Sequence, residues 1–134
     1  MLRTFTVPGP PVAKGRPRLG KYTTYTPAKT VNYENLVQFS YLEKFRDRVL
    51  LEGDLKLEII FYFPVPKSTS KKNKELMLQG KIMHTKRPDI DNCIKSVTDA
   101  LNNIAYKDDG QICAITAVKC YDGEPRTEVM IESI

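Results

Sequence analysis

Residues 55–63, LKLEIIFYF, alternate Leu55, Leu57, Ile59, Phe61 and Phe63 with Lys56, Glu58, Ile60 and Tyr62. A period of two puts five apolar side chains on one side of an extended chain, so the segment predicts a strand with one face in a core. Turn-forming residues bound it, EGD at 52–54 and PVP at 64–66. Such a strand needs partners, and both flanks of the chain supply them. Upstream, RTFTV at 3–7 alternates Phe5 and Val7 with threonines before PGPP stops it, which predicts a short first strand. Downstream, QICAITAVK (111–119), the turn YDGEP and RTEVMIESI (126–134) predict a terminal hairpin rich in β-branched residues.

Helical spacing fills the intervals. Val31, Leu36, Val37, Leu42, Phe45 and Val49 predict an amphipathic helix from Thr30 to about Leu50. The Ser/Thr cluster at 68–70 caps a short lysine-rich helix that ends at Gly80. Ile94, Val97, Leu101 and Ile104, at i, i+3, i+7 and i+10, predict a further helix from about Asp91 to Ile104, capped by Asp91 or Asn92. The order is therefore β-α-β-α-α-β-β. It implies an α/β (α+β) chain, one small domain over 1–134 with a mixed sheet flanked by two or three helices. Between the first strand and first helix, VAKGRPRLGKYTTYTP has no apolar period and reads as a basic loop carrying Lys14, Arg16, Arg18 and Lys21.

The 134 residues suit one core. With 21 Lys and Arg against 16 Asp and Glu, the net charge of +5 favours a polyanionic partner. Three cysteines without a CxxC pair predict free thiols in a reducing compartment rather than a disulfide framework or zinc knuckle. No apolar run approaches the ~18 residues of a membrane span, and no signal-peptide h-region opens the chain. These features lead us to expect a cytoplasmic protein without membrane contact.

Against this positive background, KRPDIDNCIKSVTDALNNIAYKDDGQI (86–112) gathers Asp89, Asp91, Asp99, Asp108 and Asp109. Pro88 biases the residue before it away from helix. If Asp89 and Asp91 flank Ile90 in an extended segment, their carboxylates share a face about 6.5 Å apart. Two or three carboxylates suffice for Mg2+ or Mn2+ when substrate phosphate and water complete the shell. Asp108 or Asp109 is the candidate third ligand, but lies at the far end of a helix about 20 Å long and must be brought back. Lys95, four residues after Asp91, either neutralises charge on a phosphate or forms an ordinary surface pair. The same acids also suit a helix cap, a turn and a solvated helix face.

Other metal and cofactor chemistries fit poorly. An EF-hand loop starting at Asp89 places Ile94 where glycine is needed and Ala100 where the bidentate Glu belongs. One histidine, His84, argues against a zinc hydrolase and a Ser-His triad. There is no Gly-rich GK[ST] loop, hence no expected nucleotide cofactor.

The combination RPDIDNCIKSVTDALN followed by YKDDGQI resembles the RusA family of Holliday junction resolvases, notably those of phages and prophages. The Asp-x-Asp-Asn, the lysine four residues after the second Asp, Asp-Ala-Leu-Asn and Asp-Asp-x-Gln-Ile all match. The opening VPGPPVAKGRPR, PVPKSTSKK and a closing basic strand segment extend the likeness over most of the chain. Cys93 stands where a larger apolar residue is usual.

The resemblance implies a homodimeric, Mg2+-dependent endodeoxyribonuclease, with Mn2+ as substitute, that cuts four-way DNA junctions by paired symmetric nicks in recombination and repair. By position, Asp89, Asp91 and Asp109 match the metal-binding acids, with Asp108 as neighbour, and Lys95 matches the catalytic lysine. The role of Asp99 stays open. Inline attack would leave a 3'-hydroxyl and a 5'-phosphate. Lys14, Arg16, Arg18, Lys21, Lys86 and Arg87 are the expected phosphate contacts, with Tyr22 and Tyr25 available to stack on unpaired bases. The strand at 55–63 and the segment 111–134 are candidate dimer surfaces. A nuclease of flaps or forks, and a non-catalytic DNA-binding module, are the competing readings.

Overall fold

A computed structural model describes residues 1–15, 18–20 and 24–134, with the backbone alone at Arg18 and Tyr25. The chain runs β1 (Leu2–Pro8), β2 (Arg18–Leu19), β3 (Thr24–Tyr25), α1 (Ala28–Lys44), β4 (Leu55–Phe63), α2 (Lys71–Leu78), α3 (Ile90–Ala100), β5 (Ile112–Tyr121) and β6 (Arg126–Ser133). Apart from the small antiparallel pair β2–β3 within the basic loop, this is the expected element order. Arg16, Lys21 and Tyr22 lie outside the described residues.

Four strands form one mixed sheet in the order β1-β6-β4-β5. The strand read first, β4, is an inner one, antiparallel to β6 and parallel to β5. Its five alternate apolar residues are all buried, and the opposite positions are half-buried. The expected terminal hairpin does not form, because β4 lies between β5 and β6. The turn joining them passes over the end of β4, where Asp122 N donates to Phe63 O at 3.0 Å. Asp122 then accepts from Glu124 N and the Arg126 guanidinium, which fixes the turn. Alternation in a sequence identifies a strand but carries no information about its neighbour.

One face of the sheet, carrying Phe5, Val7, Leu57, Ile59, Phe61, Val129 and Ile131, forms the core with α1 and α3. Burial of each large side chain is worth about 1.5–3 kcal/mol, so this row of contacts anchors both helices. The fully buried face of α1 is Thr30, Tyr33, Val37, Ser40 and Tyr41; of the apolar set expected, Val37 is in it, Leu36, Leu42 and Phe45 pack half-buried against the core, and Val31 stays exposed. The tyrosines dominate that face because their rings pack while their hydroxyls find partners: Tyr33 shares a hydrogen bond with Thr127, and Tyr41 accepts from Arg3. The helix ends at Lys44, earlier than Leu50, and Arg48 at φ 56° turns the chain away.

α3 also begins and ends earlier than its apolar spacing indicates. Asp89 occupies the N-cap, and the helix stops at Ala100, with Leu101 as C-cap. Asn103 adopts φ 62°, reversing the chain so that Ala105 and Tyr106 are buried beside α3. Ile104 keeps the helical phase in sequence without being in the helix. No described helix is long and apolar enough to cross a membrane.

The two ends of helix α3 as a candidate nuclease site

The first end begins at the segment 84–88, which leads into α3. Lys119, on the helix-facing side of β5 opposite Phe61, sends its ammonium to the carbonyls of Lys86 at 2.8 Å and Pro88 at 2.7 Å. Its own carbonyl accepts from His84 N at 3.1 Å. His84 is buried, stacked on Phe63 with ring centroids 3.8 Å apart, and its pKa is held below the ordinary value by burial and by the Lys119 and Lys86 charges. It packs as a neutral ring. The peptide Arg87–Pro88 is cis, and Asp89 follows in extended geometry.

Asp89 as N-cap and Asp91 in the first turn are both exposed where backbone N–H groups and the helix dipole favour negative charge. The Asp89 side chain makes no capping bond. One oxygen of Asp91 accepts from Asn92 N at 2.9 Å. Because the helix starts at Ile90, the two acids are not on one extended face as the strand geometry would have them; they share the mouth of the helix. Arg87, Pro88, Asp89 and Asn92 line an open cleft there. Lys95 is exposed one turn on and forms no ion pair among the described residues. Beneath them Cys93 is fully buried, and burial pushes its thiol up to about 11, so it stays protonated.

The root of the basic loop is fastened to the same helix. Lys14 N donates to Asn92 O at 2.8 Å, and Ser96 Oγ donates to Val12 O at 2.7 Å. The Lys14 ammonium lies between Glu34 of α1 and Asp99 of α3. Asp99 therefore has a structural partner, and Lys14 is committed to carboxylates within its own chain. Lys86 and Arg87 are exposed beside Asp89.

Asp108 and Asp109 sit at the other end. Asp108 caps a single 3-10 turn at 109–111: its carboxylate accepts from Gly110 N at 3.0 Å while the Gln111 side chain accepts from the backbone of Asp108 and Lys107. A Cβ at position 110 would meet Asp108 Oδ2 at 2.6 Å, so a larger residue there would have to displace the Asp108 carboxylate from its cap. Gln111 also donates to Leu51 O and Gly53 O, tying the loop to the sheet. Asn102 Oδ1 accepts from Asp109 N at 2.8 Å. Asp109 is thus placed beside Asn102, eleven residues of helix and cap beyond Asp91, a rise of about 16 Å along the axis. Within one chain the structure groups Asp89 with Asp91 and leaves Asp108 and Asp109 apart. Among the described residues no three His, Cys, Asp or Glu side chains are grouped to hold a metal ion.

Sequence reasoning had not singled out Lys119, Asn102 or Gln111 as supports. Asn102 and Gln111 are part of the DALN and DDGQI signatures, and that was their available signal; Lys119, a lone lysine in a strand, gave none.

The sequence pattern of the endodeoxyribonuclease RusA family matches residues 8–132, and the chain belongs to that family. It is 40% identical over 136 residues to the uncharacterized protein YqaN of Bacillus subtilis (strain 168), spanning 97% of this chain and 95% of that one. It is 31% identical over 118 residues to the crossover junction endodeoxyribonuclease rusA of Lactococcus phage r1t, spanning 86% of this chain and 81% of the phage protein.

Proposed function

We propose that this endodeoxyribonuclease is a homodimer that resolves four-way DNA junctions by paired symmetric nicks with Mg2+, Mn2+ substituting, in the cytosol of a bacterial or phage-infected cell. The observation that carries the reading is the family match over 8–132 with every acid and the lysine of the motif present. The phage relative's junction activity, given by its name, supports the choice of substrate.

The residues suit a hard divalent ion. Asp89 and Asp91 offer exposed carboxylate oxygens, whereas the softer donors nearby are a buried, protonated thiol and a stacked imidazole. A bound divalent cation supplies Lewis-acid polarisation of the phosphate and a more acidic water. Lys95 stabilises the charge that develops on the scissile group. Arg87, Lys86 and the arm residues Arg16, Arg18 and Lys21 neutralise flanking phosphates, and Lys14 anchors that arm.

A second subunit supplies Asp109. Supporting this is the rise of about 16 Å along α3 from Asp91 to Asn102, which holds Asp109, together with the exposed stretch of the β5 edge. β5 is an edge strand running antiparallel to α3, with Cys113–Thr116 exposed. Ile115 within it, at 40% accessibility, and Ile90 at the start of α3, at 37%, are exposed apolar residues. Antiparallel pairing of two β5 edges about a dyad would set the start of one strand, near Asp109, against the end of the other, near Asp89. Each site then draws on both chains, and two sites act on two strands.

The test is incubation of a labelled four-way junction, a fork and a duplex with the wild type and Asp91→Asn, with and without Mg2+. Paired symmetric nicks in the junction alone, lost in the variant while binding persists, are expected. Preferential cutting of the fork would redirect the substrate, and no metal-dependent cutting of any substrate would leave a DNA-binding module.

A further inference from the structure

We infer that Lys119 is a positioning residue of the proposed site, holding Asp89 in place through the backbone ahead of it. The inference rests on the nuclease reading above. Asp89 caps α3 without a side-chain hydrogen bond, so its direction is set by the chain that delivers it. That chain, 84–88, carries exposed Thr85, Lys86 and Arg87 and is not part of a helix or strand. Its fixings to the sheet include the two carbonyls held by Lys119 Nζ, at 2.8 and 2.7 Å, and the His84 N to Lys119 O bond.

A lysine suits this position because an ammonium donates in several directions from one atom. Charge-assisted bonds to two carbonyls, one directly preceding Asp89, restrict the pivot on which its carboxylate turns. The ammonium also sets a positive charge under the two acids: it and both carboxylates act on the intervening Cys93 thiol, in opposite senses. Lys119 contacts neither acid's oxygens in the structure. It acts through the segment 86–88, as outer partners of metal ligands commonly do.

Lys119→Met keeps the aliphatic stem and removes the donors; Lys119→Arg restores donors to the same carbonyls. Hydrogen exchange of the metal-free proteins reads the segment directly. In Lys119→Met the amides of 84–92 should exchange faster, those of β4 should not change, and Lys119→Arg should recover most of the protection. The Mg2+ concentration for half-maximal junction cutting should rise about 10- to 100-fold in Lys119→Met. The rate at saturating Mg2+ and metal-free junction binding should stay within a few-fold of wild type. Unchanged exchange at 84–92, an unchanged Mg2+ requirement, or loss of protection throughout the sheet would each overturn the inference while wild-type cutting leaves the nuclease reading standing. A wild type that shows no metal-dependent cutting would overturn both.

Discussion

The two ends of α3 present carboxylates in different ways. At the N-terminus, Asp89 and Asp91 are exposed and sit in the field of the helix, with one oxygen of Asp91 bonded locally. At the C-terminus, the Asp108 carboxylate is engaged in its own turn, and Asp109 is placed by the bond its backbone N–H donates to Asn102 Oδ1. The first end has a pair of proposed ligands without a third; the second has one, carried by a loop tied to Asn102, Leu51 and Gly53. Adjacent acids in a sequence therefore do not make equivalent contributions, and the loop's glycine, asparagine and glutamine serve to aim a single side chain.

The sheet edges repeat the contrast. β1 alternates buried and exposed residues and is tied to its surroundings by side chains: the Lys44 ammonium donates to Thr4 O, while buried Arg3 is bonded to Tyr41 and Asp47. β5 has an exposed stretch, Cys113–Thr116, in which Ile115 keeps 40% of its surface accessible. The proposed dimer would use the β5 edge, where a run of consecutive residues is exposed.

The comparison is broken most completely at the open edge. Ile115→Glu should convert the proposed dimer to monomer, read by sedimentation, with junction cutting reduced about 100-fold or more, the scale set by losing a charge-stabilising group. A dimer persisting with full activity would place the interface elsewhere. Next, Asn102→Ala removes the acceptor that holds Asp109 N. Cutting should fall about 10- to 100-fold, and stability by about 1–2 kcal/mol for the unpaired amide, read by urea denaturation.

A smaller effect separates the neighbouring acids. Asp108→Ala should cost about 1 kcal/mol, as loss of a capping side chain does, and leave cutting within several-fold of wild type. Asp109→Asn should do the reverse, preserving stability and losing activity.

The smallest expected effect concerns His84 behind the first end. Its folded pKa is below the unfolded value of 6.5, so the unfolded chain binds more protons between those two values. Its contribution to stability is complete above the unfolded pKa and is lost as pH falls from there toward the folded pKa. The Tm of wild type should therefore drop more between pH 7 and pH 5 than that of His84→Phe, which retains a stacking ring on Phe63.

Much of this architecture was legible in the residues. Leu55–Phe63 announced its buried face by strict alternation, and the acids and Lys95 of 89–109 stood out by type and spacing. The strand order did not, since β5 and β6 adjoin in sequence and the insertion of β4 between them depends on long-range pairing. Helix ends were misplaced for a local reason: Ile104 continues the apolar phase of α3 although Asn103 has already reversed the chain. The separation of Asp109 from Asp91 follows from helix length, and was visible; that β5 would be an edge strand was not, because an edge strand has no sequence signature of its own. Lys119 was hidden because its partners are backbone carbonyls.

The most direct test of a site shared between subunits is complementation. Asp91→Asn and Asp109→Asn, each inactive, would be mixed, dissociated and reassociated, and mixed dimers isolated by two different tags. A shared site predicts that the mixed dimer contains one centre with Asp91 from one chain and Asp109 from the other, so junction nicking returns as single rather than paired cuts. Inactive mixed dimers, with wild-type dimers treated in parallel fully active, would contradict the account and place all three acids of each centre within one chain.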